Sequence, residues 1–476
     1  MKKIYRVVLV VGCFILGILG CASSPSGSGG FKGSSLPPFP KGGAYQKGIR
    51  VQTVQLTVDP AYLIKGDNRT YELGLGSGLE YIGMQEGKLL FAGITDRGPN
   101  MDGPVYKKET KTYSTKIFPV PTFIPAIVYF EIDPASLNGK VSFLLPLKNE
   151  KGKPITGLPI PEGFLGSTLE VAINLSLQDV GTDSEGLDPE ALRLDLRGEY
   201  FWISDEYGPF VAKVERKSGK IVQKMAPGQG LPEILAKRQA NRGMEGLAIT
   251  PNGKIYGIIQ SILDVDGKVK DSKAPFVRMV EIDPATGKTR QFAVPIDAES
   301  YKRARDSKIG DLVALTNTDF LLIEQGSDKN QTMRNILYRI SIQNATDVTG
   351  LRIEQKELEQ VISRLEDFEK YGITPTSKKP VMDLREYGWM VEKAEGIAVI
   401  DSKNILIISD NDFGIAPQVL NPLQDKEGKS VTDPTAYELR NGRLSIGDTI
   451  GDTRIVPAPN KEATQLWLVS FDIPLF

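Results

Sequence analysis

The chain has 476 residues, 40% hydrophobic and 25% charged, an ordinary globular balance with apolar material for a substantial core. Its 58 Lys and Arg stand against 59 Asp and Glu, so there is no excess of positive charge to follow a polyanion, and nucleic acid is not an expected partner. Histidine is absent, which removes the usual base of serine hydrolases, the imidazole ligands of most zinc enzymes and the nucleophile of histidine acid phosphatases. Chemistry here must run on carboxylates, Lys, Arg, Tyr, hydroxyls or a hard cation.

The opening MKKIYR followed by VVLVVGCFILGILG reads as the basic and apolar regions of a signal peptide over residues 1–20, too short for a bilayer span. It ends in Ile18-Leu19-Gly20-Cys21, which resembles the lipobox of bacterial lipoproteins and implies that Cys21 receives the lipid anchor, palmitate included. Cys13 lies in the removed segment, so no disulfide is expected. Ala22 follows the anchor where inner-membrane lipoproteins carry Asp. This places the domain in the bacterial envelope, on the periplasmic side of the outer membrane in a Gram-negative cell. Residues 21–48 are rich in Gly, Ser and Pro and read as a flexible tether, and the domain proper is expected over 49–476.

From Ile49 onward short apolar runs alternate with Gly, Asn, Asp and Pro turns. Five hairpin units repeat: SGLEYIGMQEGKLLFAGITDRG (77–98), SEGLDPEALRLDLRGEYFWISDEYG (184–208), MEGLAITPNGKIYGIIQS (244–261), IGDLVALTNTDFLLIEQGSD (309–328) and AEGIAVIDSKNILIISDND (394–412). Third strands follow at 126–134, 210–220, 276–288 and 336–347, and fourth strands at 140–147 and 289–296. The last unit waits for LWLVSFDIP (466–474), while IRVQTVQLTV (49–58) has no earlier unit to join. Tandem four-stranded antiparallel units predict an all-β fold, a β-propeller of five blades, closed by the N-terminal strand in the last blade. A sixth blade has room in 97–125, 148–180 or 413–463. Residues 231–240 and 356–372 carry helical apolar spacing and are expected as inserted outer helices.

In such a ring the start of each first strand and the end of each second strand share one rim near the axis. That geometry pairs Glu80 with Asp96, Glu185 with Asp205 and Glu206, Glu245 with Gln260, Asp311 with Glu324, and Glu395 with Asp410 and Asp412. Converging carboxylates raise one another's pKa unless a cation joins them, and oxygen ligands without His favour Ca²⁺ or Mg²⁺ over zinc. The metal set expected is Glu80, Asp96, Glu185, Asp205, Glu245, Asp311, Glu324, Glu395 and Asp410, with Glu185, Asp205 and Glu206 as catalytic acids. The other reading of each acid is structural, as an acceptor for backbone N–H groups of a neighbouring turn. Arg97, Arg242 and Arg278 lie where they could bind a phosphate or pair with the acids.

The segments NRGMEGLAITPNGKIYG, EYFWISDEYGPFVAKVE and AEGIAVID resemble the phytase-like family, also described as having esterase-like activity, and the likeness spans roughly residues 70–475. The resemblance implies a propeller that uses calcium in an acidic channel to hydrolyse phosphoesters or related small-molecule esters. It carries over to Glu185, Asp205, Glu206, Glu245 and Glu395. A dense Lys/Arg cluster for a highly phosphorylated substrate is missing. The alternative function is a non-catalytic propeller scaffold, lipid-anchored, binding a ligand or an envelope protein.

Overall fold

The alternating apolar runs become antiparallel strands buried on their core faces, and they assemble into five blades. The computed structural model of the protein describes residues 38–476 except 67, 68 and 461. The expected signal peptide, Cys21 and most of the tether therefore lie outside the described residues. Counting outward from the axis, blade 1 is Gly78–Gln85, Lys88–Ile94, Ala126–Asp133 and Asn138–Pro146, and blade 2 is Pro189–Leu194, Tyr200–Asp205, Phe210–Glu215 and Ile221–Pro227. Blade 3 is Met244–Ile249, Ile255–Ile259, Phe276–Ile282 and Thr289–Pro295; blade 4 is Lys308–Ala314, Asp319–Ser327, Met333–Ser341 and Ser377–Asp383.

Blade 5 closes the ring as expected. Gly396–Val399, Asn404–Ile408 and Leu466–Phe471 come from the C-terminal part of the chain, and Ile49–Thr53 adds the fourth strand with Val51 opposite Val469. Ala44–Gln46 pairs with that strand in turn, so the folded unit reaches into the segment read as tether. Directly afterward, Gln55–Thr57 crosses to the outer edge of blade 1 and pairs in parallel with Asn138–Pro146. One short segment thus covers the edge of the last blade and of the first.

The five inner strands adjoin one another in a closed circle. Buried apolar clusters fill the spaces between blades, such as Leu192, Phe201 and Ile203 against Ile94 and Ile127, or Tyr256 and Phe276 against Leu312 and Phe320. At the axis the packing is tight enough to dictate residue type. A Cβ on Gly246 would lie 2.6 Å from the backbone nitrogen of Leu312, and one on Gly396 would lie 2.9 Å from Cβ of Leu79. This is why the Glu245-Gly246 and Glu395-Gly396 pairs recur: glycine admits the next blade.

The three long stretches that had room for a sixth blade form a cap instead. Residues 95–125 and 409–465 each join a second strand to a third, and 147–188 joins blade 1 to blade 2, so all leave from the rim where first strands begin. Thr115–Ile117 lies between Met101–Asp102 and Val171–Ile173; Val105–Lys108 pairs in parallel with Glu438–Arg440; and Ile415–Leu420 pairs with Arg454–Pro459. The cap has its own core of Met101, Ile117, Ile173, Tyr437, Leu444 and Ile455.

The expected helices shrink. Only Glu233–Lys237 of 231–240 coils, as a 3₁₀ turn, and 356–372 holds two short helices, Leu358–Val361 and Glu366–Lys370. The apolar residues that suggested long helices, Leu235, Leu358, Ile362 and Phe368, are buried by tertiary packing. No helix among the described residues is long and apolar enough to cross a membrane.

Because the obstruction at Gly246 is backbone, it cannot swing aside. Gly246→Ala is expected to cost ~1–3 kcal/mol by urea unfolding, and wild-type stability in that variant would show that inner strands have slack at the axis.

Candidate functional site

Strand registers show which residues occupy equivalent places in each blade. In blades 2 and 3 the first strand bulges, at Pro189/Ala191 and at Met244/Gly246, so Glu190 and Glu245 are the unpaired residues. Bulges re-aim a side chain out of the ladder, here toward the mouth of the channel. Glu395, immediately before Gly396, holds this place in blade 5, while blades 1 and 4 place Ser77 and Gly310 there. Two residues earlier stand Asp188, Gly243, Lys308 and Lys393. At the end of the second strands stand Asp96, Glu206, Gln260, Gln325 and Asp410.

These positions bring carboxylates close together. One oxygen each from Asp188, Glu190 and Glu206 lie within 4.8 Å of one another, as do oxygens from Glu190, Glu245 and Glu395. All five residues are buried, so Glu190 is shared by two groups. Gln260 Nε2 donates to Glu245 at 2.8 Å and to Glu206 at 3.3 Å, and Gln325 Nε2 donates to Glu395 at 3.2 Å. Asp188 Oδ1 accepts the Arg97 amide at 3.1 Å, while its buried Oδ2 has no hydrogen-bond donor, only Arg97 Nε at 3.4 Å.

Burial first, then mutual repulsion, raises these acids. Glu206 is pushed up to about 7 by burial and then by Asp188, and Glu395 to about 8 by burial against the opposing pull of Lys393. Glu190 and Glu245 are pushed well up, Glu190 by burial and then by Glu245, Asp188, Glu206 and Glu395. No described residue donates a hydrogen bond to Glu190, and no cation pairs with it. Lys393 neutralises the opposite side, with Nζ 2.6 Å from Asp410, 2.8 Å from Asp412 and 3.7 Å from Glu395. Asp96 joins that side, pushed well up by burial and then by Asp410 and Asp188.

Below this layer the channel is closed by Arg193, which crosses the axis from blade 2. Its guanidinium donates to both oxygens of Asp311 in blade 4 at 2.9 and 2.8 Å and to the carbonyls of Leu79 and Leu312 at 2.8 Å. Glu80, 4.0 Å from Arg193, is pushed up to about 7 by burial.

The expected residues therefore separate. The structure brings Glu206, Glu245 and Glu395 together, with Asp96 and Asp410 beside them. Glu80 and Asp311 belong to the Arg193 layer below. Asp205 turns back into its blade, where Oδ2 accepts the Asp188 amide at 2.8 Å and Oδ1 that of Gly208 at 3.2 Å. Glu324 faces Ser307, Asp297 and Lys378 within blade 4, because the residue equivalent to Gln260 is its neighbour Gln325. Glu185 is exposed and holds Asn149 Nδ2 at 2.7 Å; the Glu-Gly that begins blade 2 in the alignment of letters lies five residues too early, and Glu190-Ala191 takes its place. Of the arginines, Arg97 lies at the cluster between Glu170 and Asp188, and Arg242 lies near Glu206. Arg278 is sequestered far out in blade 3 by Glu359, with Nε at 2.6 Å. Asp188, Glu190, Glu170, Lys308 and Lys393 escaped the sequence reading. The signal that could have found Glu190 is its place before Ala191-Leu192, like Glu245 before Gly246-Leu247.

The family described as Phytase-like, esterase-like activity of phytase, matches residues 77–413, a span that holds all five clustered acids. The chain belongs to the phytase-like family. It is also similar to a protein of Arthroderma benhamiae described as an uncharacterized secreted protein, with 25% identity over 316 residues, 56% of this chain. The chain spans 60% of the length of that relative. Among solved structures it resembles a Podospora anserina α-L-arabinofuranosidase, at 9% identity and a TM-score of 0.36 over 89% of this chain and 98% of the other. It also resembles hydrazine synthase of Kuenenia stuttgartiensis, at 11% identity and a TM-score of 0.30 over 66% and 78%.

Carboxyls held above their ordinary 4.5 mean that the phytase-like fold keeps protons that the unfolded chain has released. Between pH ~4.5 and ~8 the native state binds more protons, so stability falls as pH rises through that window. In EDTA the melting temperature is expected to drop by roughly 5 °C between pH 5.5 and 8.5. Glu395→Gln should flatten part of the slope, and a pH-independent melting temperature in the wild type would contradict the buried-acid picture.

Proposed function

We propose that the carboxylate cluster holds a divalent cation, calcium foremost, and that the protein hydrolyses a phosphoester or related ester at the mouth of the channel. The observation that carries this reading is Glu190. It is a buried carboxylate within reach of four others, without a hydrogen-bond donor or a paired cation among the described residues, and a hard ion bound by oxygen is the partner such a group lacks. The donor set fits calcium: Asp188, Glu190, Glu206, Glu245 and Glu395 offer only oxygens, and the chain has no His to draw zinc.

Bound there, the ion would supply Lewis-acid polarisation of a phosphoryl or acyl oxygen and lower the pKa of nearby water. The residues of the chain do the rest. Gln260 Nε2 donates to both Glu206 and Glu245 and so holds the two carboxylates in place for the ion. Arg97, fixed between Glu170 and Asp188, keeps Asp188 oriented. The cap lies over this rim and limits the water that reaches the cluster.

A place outside the cytoplasm agrees with the secreted relative, and we assign the attachment to lipid on Cys21 from the Leu19-Gly20-Cys21 sequence. The envelope and, in a Gram-negative cell, the outer membrane are parts of the same proposal.

Calcium titrated into the EDTA-treated protein should raise the melting temperature by ~5 °C at saturation, because a ligand that binds the native state stabilises it. Glu190→Gln should abolish both the rise and phosphoesterase turnover, whereas Glu185→Gln should preserve both. No rise at millimolar calcium would leave the acids structural and favour a binding scaffold.

A further inference from the structure

In the cap segment that joins blade 1 to blade 2, one short loop turns three apolar side chains outward: Phe164 is 60% exposed, Leu165 40% and Leu169 54%. Single exposed apolar residues are ordinary on a protein surface, but a cluster of them is not. The loop is firmly held. Ile160 at its base is buried with Tyr207, Phe210 and Ala226. The Phe164 amide donates to the carbonyl of Pro161 at 3.2 Å and the Ser167 amide to that of Phe164 at 3.1 Å. Arg238 Nη2 donates to the carbonyls of Gly166 and Ser167 at 3.2 and 3.1 Å, and Glu162 accepts from Lys111 Nζ at 2.6 Å and the Tyr113 hydroxyl at 3.1 Å. Leu169 takes a left-handed φ of +60°, unfavourable for a leucine, and so stands out while its neighbour Glu170 turns in to Arg97. Polar contacts thus hold the backbone of the loop down and leave its apolar side chains in water.

The path of the chain says what this loop faces. It rises from the rim that carries the cap and the channel mouth, and the chain enters the domain at the same rim. Ala44 lies opposite Val51 and Gln46 opposite Ile49, while Thr53 pairs with Trp467 just after the cap segment 409–465, so the residues before Ala44 come from the cap side. Those residues lead back through the Gly-, Ser- and Pro-rich stretch to Cys21, where the lipid is assigned. The entry lies at blade 5, across the ring from the junction of blades 2 and 3 where Arg238 holds the loop. Beside the entry, on the link from blade 4 to blade 5, Met390 is 75% exposed.

We infer that the loop 160–169 is a membrane-docking element: Phe164, Leu165 and Leu169 enter the lipid surface and turn the cap and the channel mouth toward it. A lipid on a tether keeps a domain near a surface without orienting it, and a second, apolar contact on the far side of the ring fixes which face is presented. The docking rests on the anchor assigned to Cys21 and needs no catalytic activity. Charge contributes little, because Lys111 is paired with Glu162 and Lys107 with Glu438. Docking is therefore expected on neutral as well as anionic lipid.

The test reconstitutes the full lipidated chain into phosphatidylcholine vesicles, with and without phosphatidylglycerol, and attaches a bimane fluorophore to a single introduced cysteine. Phe164→Cys probes the loop; Leu196→Cys and Ile473→Cys probe exposed apolar positions at the opposite rim, Leu196 being 64% exposed. Brominated acyl chains are expected to quench most of the fluorescence at 164 and to leave 196 and 473 unchanged in both kinds of vesicle, and melting temperatures check that each variant is folded. Quenching at 196 or 473 instead, or at no position while the protein stays with the vesicles, would overturn the docking and leave the anchor standing. Self-association abolished by Phe164→Ser, without quenching, would give the loop to a second copy of the chain and equally overturn it. The mass of the N-terminal peptide reads the anchor separately. Without lipid on Cys21 the anchor reading ends, and the docking then stands or falls on quenching at 164 by added vesicles in a Cys21→Ser chain.

Discussion

The crowding of five inner strands around one axis is the constraint on which the rest of the molecule depends. In four of the five blades it leaves room only for glycine or alanine beside the next blade, at Gly78, Ala191, Gly246 and Gly396, and it brings together side chains from blades far apart in sequence. Where those side chains are carboxylates, burial and repulsion add, and the ring must be held closed against them. The apolar seams between blades and the Ile49–Thr53 strand supply that closure. The electrostatic strain is thus set against hydrophobic packing distributed over the whole ring.

The channel resolves the same problem differently at different depths. In the lower layer the chain provides its own cation: Arg193 crosses the axis and donates to Asp311 and to three backbone carbonyls, so that layer is stapled and needs no ligand. In the upper layer Lys393 does this on the blade 5 side only. On the side of blades 2 and 3 Arg97 reaches Asp188, but among the described residues no cation pairs with Glu190, Glu206 or Glu245. This asymmetry separates a structural ion network from a site with binding capacity.

Much of the fold was legible because it rests on local signals repeated five times. Period-two apolar runs between Gly, Asn and Asp turns marked the hairpins, and an orphan strand at each end of the chain implied closure. The candidate site was legible only to within a few residues. Choosing Glu185 over Glu190 followed the letters Glu-Gly-Leu, which recur in blades 3 and 5, but in blade 2 Gly186 lies under the carbonyl of Leu158 and Ala191 takes the axial place. Choosing Glu324 over Gln325 erred by one position in a strand, enough to send a side chain to the opposite face. The cap was illegible for another reason: its strands pair across gaps such as Val105 with Glu438, for which no local pattern exists.

The cap and the acid cluster share one rim, and this has a chemical consequence. Carboxylates open to bulk water would be solvated, ionised and indifferent to one another, whereas beneath a packed layer they stay near the balance between protonated and ionised forms. Glu206 at about 7 and Glu395 at about 8 sit at that balance, while Asp412, at the more open edge beside Lys393, is held below its ordinary value despite its burial. An ion entering from that edge would displace protons from the inner acids and so convert the cost of their burial into affinity. Strands inserted far from the blade repeats therefore set the chemistry of residues that the repeats place.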